Sequence, residues 1–425
     1  MAREMKDSGI EWIGEIPREW DIRKLKYCSE FIQDKYSDKN GELEYIGLEN
    51  ISSWSGKYIS TDSQYDRAQS LLFQAEDILW GKLRPYLAKV YHTKKSGCCS
   101  SEFCVIRVSK DYSIRYFWNL LISSEFVYAI DRSTYGTKMP RANAEFIRNT
   151  FIPVPDKHEQ QAIADFLDTQ CAHIDSVIEK TRAAIEEYKK LKQAVITQAV
   201  TKGIRPNREM KDSGIEWIGE IPKKWICTIM KRFCRFQTGS TPSTNNPQWF
   251  DGNLDWFTPS DFNEKCFLSN SIRKLSKKAK EDGVATLIEP NTVMIIGIGG
   301  TAGKIGFTTS ECSCNQQITA VKPNNELLSK YLMYWMISNT KILKDTALYT
   351  TLPIINNQTI GEFLLIMPET ISEQSEIVAY LDEKTAAIDS LVQKKQQLIT
   401  ELEAYKKSLI YEYVTGKKEV PVHAH

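Results

Sequence analysis

Met5-Lys6-Asp7-Ser8-Gly9-Ile10-Glu11-Trp12-Ile13-Gly14-Glu15-Ile16-Pro17 recurs without a change as Met210 to Pro222. Thirteen identical residues at an offset of 205 mark an internal duplication, which sets the fold before any single element is considered. The likeness fades outward: Trp20 answers Trp225, and Lys26 answers Lys231. A second pair of segments follows at an offset of 214. Val154-Pro155-Asp156-Lys157-His158-Glu159-Gln160 leads to Ile163 through Asp168, and Met367-Pro368 leads through Glu373-Gln374 to Ile377 through Asp382. Ile174-Asp175-Ser176 answers Ile388-Asp389-Ser390, and Val200-Thr201 answers Val414-Thr415. The chain is built as A-B-A′-B′, with halves of about 210 residues. The middles, roughly 30–150 and 235–365, look dissimilar. Repeated frames around divergent middles predict one scaffold carrying two different readers; the lesser alternative is a recent duplication without functional meaning.

The B segments predict long helices. No proline falls between Pro155 and Pro206, and no glycine between Glu159 and Lys202. Asp156 with Glu159, and Thr370 with Glu373, have the spacing of a capping box. Gly203 and Gly416 stand where C-terminal caps belong. Each helix is expected to run about 44 residues, roughly 65 Å. Ile388, Leu391, Lys395, Leu398, Leu402, Tyr405 and Leu409 alternate spacings of three and four, as do Ile174, Val177, Thr181, Ala184, Tyr188, Leu191 and Val195. That rhythm predicts a left-handed coiled coil. The two helices either pair with each other, antiparallel, or each packs on its own globular neighbour.

A length of 425 residues suggests two or three domains. Hydrophobic residues at 42% and aromatics at 11% supply real cores. Lys+Arg (55) nearly cancels Asp+Glu (54), and the net charge of +1 excludes a uniformly basic nucleic-acid coat but not local basic patches. No run of 18 apolar residues predicts a membrane span. Met1 to Asp7 lacks an apolar signal core, so a cytoplasmic location with ten reduced cysteines is expected.

The middles read as mixed α+β. Leu43 to Ile46, Phe103 to Val108 and Thr292 to Ile296 predict strands; Tyr116 to Ile130 and the segment from Tyr331 to Ile337 predict helices. Basic residues cluster: Lys82, Arg84, Lys89, Lys94 and Lys95; six between Lys265 and Lys280; five between Lys223 and Arg235. Such runs fit docking on phosphates, although most charge runs are only solvated faces. Gly81-Lys82-Leu83-Arg84-Pro85-Tyr86 and Tyr135-Gly136-Thr137-Lys138-Met139-Pro140-Arg141 have basic tips. Thr238-Gly239-Ser240-Thr241-Pro242-Ser243 offers hydroxyls and N–H groups to phosphate. Asn315, Gln316 and Gln317 offer amides, which pair bidentately with adenine edges or else form a structural network. The candidate DNA contacts are therefore Lys82, Arg84, Tyr86, Lys138, Arg141, Ser240, Thr241, Lys304, Asn315, Gln316, Gln317, Tyr349 and Thr350.

Catalytic signatures do not form. Asn246-Pro247-Gln248-Trp249 has one proline where an adenine-methylating loop needs two. In Gly297 to Ile305, Ile298 occupies the first glycine of a phosphate-binding loop, and Ile305 replaces the hydroxyl that would hold magnesium. A tight strand-to-strand turn is expected there instead. Cys98-Cys99 and Cys312-x-Cys314 miss zinc spacings, and His423 and His425 stand at the terminus.

These residues resemble the specificity subunit of type I restriction–modification systems, the HsdS family, over essentially the whole chain. Gly9 to Pro17 and its copy Gly214 to Pro222 look like that family's approach to each target-recognition domain. Thr238-Gly239-Ser240-Thr241-Pro242 with Trp256 to Asp261 resembles a common domain opening, which the first middle lacks. Pro155 to Asp168 and Pro368 to Asp382 resemble the signatures that open the helical spacers. The resemblance implies an α+β fold: two mixed α/β target-recognition domains separated by two long helices in an antiparallel coiled coil, with a pseudo-twofold internal repeat. The expected division is 1–155 and 206–368 for recognition, 156–205 and 369–425 for the spacers. Each recognition domain would read half of a bipartite target on double-stranded DNA, the helices setting the gap. Two modification subunits would dock on the helices and methylate adenine with S-adenosylmethionine. Restriction subunits would add ATP- and Mg2+-dependent translocation and cleavage. This chain itself would be non-catalytic and hold no cofactor. A structural coiled-coil scaffold for proteins, or a single-chain DNA methyltransferase or nuclease, are the competing readings.

Overall fold

The structure is a computed structural model and describes residues 3–36, 43–61, 70–134, 136, 138–263, 266–349 and 352–421. Two compact units divide the chain: residues 1–182 with 396–425, and residues 183–395. Both boundaries fall inside the long helices Lys157–Lys202 and Ile371–Val414, 46 and 44 residues long. Each unit thus holds the first half of one helix and the last half of the other.

Within each unit the helix halves run antiparallel. In the first, Phe166 meets Tyr413, Asp175 meets Lys406 and Arg182 meets Glu403. In the second, Tyr188 meets Lys395 and Lys192 meets Asp389. Rising numbers on one helix face falling numbers on the other. The buried seam differs from the expected one. Ile388, Lys395, Leu402 and Leu409 keep their places, but Ile399 is buried where Leu398 was expected, and Leu391, Leu398 and Tyr405 are exposed. On the first helix Ile178 and Ile185 turn inward and Leu191 outward. Two adjacent apolar residues satisfy the same rhythm, and the partner selects between them: Lys406 turns inward because Asp175 receives its amine at 2.7 Å.

The identical segments form identical hairpins. Met5 pairs with Pro17 and Asp7 with Glu15; Met210 pairs with Pro222 and Asp212 with Glu220. Ile16, Ile221, Trp20 and Trp225 are fully or nearly fully buried, each isoleucine contributing about 1.5–3 kcal/mol. Each tryptophan donates its indole N–H to the first-turn glutamate of a long helix, Trp20 to Glu159 (2.8 Å) and Trp225 to Glu373 (3.0 Å). Arg3 and Arg208 grip the same two carboxylates. The neighbouring glutamines are buried and bridge two elements. Gln160 accepts from Ser113 N–H and donates to the Pro155 carbonyl; Gln374 accepts from Leu328 N–H and donates to the Pro368 carbonyl. Each helix ends at a left-handed glycine, Gly203 at φ 77 and Gly416 at φ 70. A Cβ on Gly416 would lie 2.4 Å from Pro17 Cδ, so the cap doubles as a close approach to the hairpin.

The middles look dissimilar, but each carries its own sheet with the same strand order. In the first unit the strand order is Ser29–Ile32, Phe103–Val108, Ile78–Gly81, Val90–His92. In the second it is Cys234–Thr238, Ile318–Pro323, Thr292–Ile296, Ile305–Thr308, with Phe267–Leu268 added at the edge. A further strand pair closes each domain before its long helix, Asp21–Lys24 with Phe151–Val154 and Ile226–Ile229 with Leu364–Met367. The expected helix at Tyr116 to Ile130 is two, Ile114–Ile122 and Ser124–Asp131, broken at Ser123. No helix among the described residues is long and apolar enough to cross a membrane.

Candidate nucleic-acid interface

In the first unit the two basic tips come together. Lys82 and Arg84 lie on the loop after strand Ile78–Gly81. Arg84 N–H donates to the Pro140 carbonyl (2.8 Å), Ala142 N–H donates to the Lys82 carbonyl (2.9 Å), and Leu83 bridges Arg141. Arg84, Tyr86, Lys138 and Met139 are exposed, and Lys82 is half-buried. Among the described residues Lys82, Arg84 and Lys138 form no ion pair, whereas Arg141 is paired with Glu102. Lys89 turns inward: its amine donates to the Leu48 carbonyl at 2.6 Å, and burial lowers its pKa. Tyr135 and Thr137 lie outside the described residues.

The second unit repeats this frame with different chemistry. Gly297 to Lys304 is a turn joining strands Thr292–Ile296 and Ile305–Thr308. Gly299 N–H donates to the Pro353 carbonyl (3.2 Å), Ile355 N–H donates to the Gly297 carbonyl (2.7 Å), and Ile298 bridges Ile354. Lys82, Leu83 and Arg84 therefore correspond to Gly297, Ile298 and Gly299. Lys82 N–H donates to the Glu102 carbonyl, and Gly297 N–H donates to that of Gln317, so Glu102 corresponds to Gln317. Asn143 and Asn356 each cap the short helix that follows.

Around this second frame Thr238, Gln316, Gln317, Asn357 and Gln358 line a cleft beside Gly297. Asn357 is fixed by Thr238 (3.0 Å) and Thr319 (2.8 Å). Gln316 is exposed and accepts from the Thr241 hydroxyl, which leaves its amide nitrogen without a bond among the described residues. Asn315 takes the second of the two readings, the structural network, rather than a DNA contact. It is buried, and its amide bonds both the side chain and the N–H of Gln317, so it orients Gln317 rather than reaching the surface. The Ser240 hydroxyl is occupied by the Val284 carbonyl and the Thr286 N–H. The Lys304 amine reaches the Phe262 carbonyl at 3.4 Å. Tyr349 pairs through its backbone with Pro353, at the edge of the same frame. Thr350, Lys265, His423 and His425 lie outside the described residues. Much of the basic run below Lys280 is held locally: Arg273 stacks on Phe250 and Trp256, and Lys274 and Lys280 pair with Asp255 and Glu311. Sequence reasoning missed Asn357 and Gln358. Their signal was the Asn143–Asn356 correspondence, hidden because the surrounding side chains differ.

The sequence profile of the type I restriction modification DNA specificity domain matches residues 17–187 and again 222–401. The chain belongs to this specificity family. The specificity chain is 22% identical over 363 residues to the EcoBI specificity subunit of Escherichia coli, covering 80% of this chain and 73% of that one. It is 23% identical over 444 residues to the StySPI specificity subunit of Salmonella potsdam, covering 95% and 90%. Solved structures agree in fold. A chain from work on complex assembly and conformational transition of the type I system aligns with a TM-score of 0.77 at 18% identity, covering 95% of this chain and 99% of that one. The HsdS subunit from Thermoanaerobacter tengcongensis aligns at 0.53 and 18% identity, covering 95% and 98%. The specificity chain is thus the DNA-recognition subunit of a type I restriction–modification system.

Proposed function

We propose that each unit reads one half of a bipartite DNA sequence through the loop frame described above. The observation that carries this reading is the correspondence of the two clusters. The two frames follow corresponding strands, Ile78–Gly81 and Thr292–Ile296, and share the same backbone bonds; Lys82, Arg84 and Arg141 are sequence candidates in the first, and Gln317 beside the second. One frame presents arginine, lysine and tyrosine; the other presents glutamines beside glycine. Arginine forks match guanine edges, and amides match adenine edges. Equivalent placement with different chemistry suits two half-sites of different sequence.

The paired helices set the gap between the half-sites. Leu398 and Tyr405, seven residues apart and exposed, offer apolar surface to the helices of a modification subunit. That partner would bring S-adenosylmethionine and take the flipped adenine, and restriction subunits would bring ATP and Mg2+ chemistry. The specificity chain's own residues bind and orient DNA.

The test is Gln317→Ala with Gln358→Ala in the chain co-expressed with its modification subunit. Methylated sites in the host genome should relax at a position in one half-site, the other half staying fixed. Relaxation in both halves, or in neither, would contradict the assignment.

A further inference from the structure

In the cleft beside Gly297 one amide has its direction fixed. A glutamine at a surface can turn its terminal amide over and offer a base either its oxygen or its nitrogen. Gln317 cannot, and the constraint begins in the main chain. Its own backbone N–H can only donate, and it donates to Asn315 Oδ1 at 3.1 Å. With its oxygen placed there, Asn315 turns its amide nitrogen to the Gln317 side chain, and Gln317 Oε1 accepts from it at 2.9 Å. The Gln317 amide therefore sets its oxygen back toward Asn315 and its nitrogen forward. Turning it over would face two amide nitrogens and leave a donor of the buried Asn315 unpaired.

Asn315 is held on both sides. Its N–H donates to the Phe257 carbonyl at 3.0 Å, and its carbonyl accepts from Ile318 N–H at 3.1 Å. Gly239 presses on the same turn: a Cβ there would stand 2.4 Å from the Asn315 carbonyl oxygen. The Gln317 nitrogen, by contrast, has no hydrogen-bond partner among the described residues. It opens on bare backbone. A Cβ on Gly299 would meet only this nitrogen, at 3.9 Å, and a Cβ on Gly300 would meet nothing within 4 Å. A base edge can approach there without meeting a side chain.

In the major groove adenine shows an acceptor beside a donor, and a glutamine reads it with nitrogen and oxygen side by side. Cytosine shows a donor, thymine one acceptor beside its methyl group, and guanine two acceptors. An amide that leads with its nitrogen fits guanine. We propose that Gln317 is a donor aimed at guanine and that Asn315 is the positioning residue that aims it. The proposal rests on the function proposed above and narrows it: this amide selects guanine, where one free to turn would select adenine.

The test is methylome sequencing with the full chain and its modification subunit. Gln317→Ala should relax one position of one half-site, and that position should be guanine in the wild type. Asn315→Asp keeps an acceptor for the Gln317 N–H but replaces the donor with a second oxygen. The Gln317 amide should then turn over, and the position should change to cytosine or adenine, the bases with an amino donor. Gln317→Glu keeps the Asn315 donor bonded and puts an oxygen forward, so the position should change to cytosine, with discrimination of roughly tenfold. A merely structural Asn315 would lower the yield of complex without changing the base. Should Asn315→Asp fail to fold, Gln317→Glu decides alone. Any base but guanine at the relaxed position, or guanine retained in the folded variants, would overturn the proposal. So would an unchanged motif in Gln317→Ala when the double variant with Gln358→Ala relaxes a half-site. A double variant that relaxes neither half would instead overturn the function it rests on.

Discussion

Glu159 and Glu373 join each recognition domain to its helix, and both read from sequence only as capping signals. Their backbones do fulfil that role, the Glu159 N–H donating to Asp156 and the Glu373 N–H to Thr370. Their carboxylates go elsewhere, to a tryptophan and an arginine far away in sequence, which no local pattern discloses. Burial alone would raise the Glu373 carboxyl, but hydrogen bonds from Arg208 and Trp225 outweigh it and hold the pKa below its ordinary value. A depressed carboxyl stabilises the fold above its unfolded pKa, and the contribution disappears as pH falls through the folded value. Glu373→Gln should therefore lower the melting temperature at neutral pH, with the gap to wild type closing in acid below the ordinary glutamate range. A gap independent of pH would contradict the linkage. At the DNA surface, Lys82→Ala with Lys138→Ala should weaken binding of the complex and make its salt dependence shallower by up to about 0.9 per lost phosphate contact. An unchanged slope would remove both from the backbone contacts. The basic tips were legible as separate motifs. Their meeting was not, because it rests on backbone bonds between Lys82 to Arg84 and Pro140 to Ala142.

The long helices show where element-scale patterns stop. Their existence and caps followed from proline and glycine placement and heptad spacing; the antiparallel pairing was one of two readings the spacing left open, and the one the family resemblance implied. The seam did not, since Leu398 and Ile399 fit the rhythm equally and only the partner chooses. Two left-handed glycines, one at a helix end and one in a hairpin turn, separate two costs. Gly416 and Gly9 both hold φ 70, but a Cβ at Gly9 meets nothing within 4 Å while one at Gly416 meets Pro17 and Trp20. Gly9→Ala should cost about 1–2 kcal/mol for the left-handed backbone alone. Gly416→Ala should cost about 1–3 kcal/mol more, from the overpacking. Equal denaturation midpoints for the two variants would show that the hairpin is not packed against the helix end.

On the scale of the whole molecule, the duplication was the strongest signal in the sequence, and it gave the fold class. It understated the likeness of the middles, where one strand order is kept by side chains that no longer resemble each other. The function assigned to the helix pair is also tested here. Removing one heptad from each helix at facing positions, 180–186 and 395–401, preserves the seam and shortens the pair by about 10 Å. The gap between half-sites should then shrink by about three base pairs, at 3.4 Å each. An unchanged gap would take the ruler role from the helices. The most direct test of the central claim is methylome sequencing of a host expressing this chain with its modification subunit. The account predicts a new bipartite motif with methylated adenine in both halves. A stable complex that yields no new motif, or a single uninterrupted one, would contradict it.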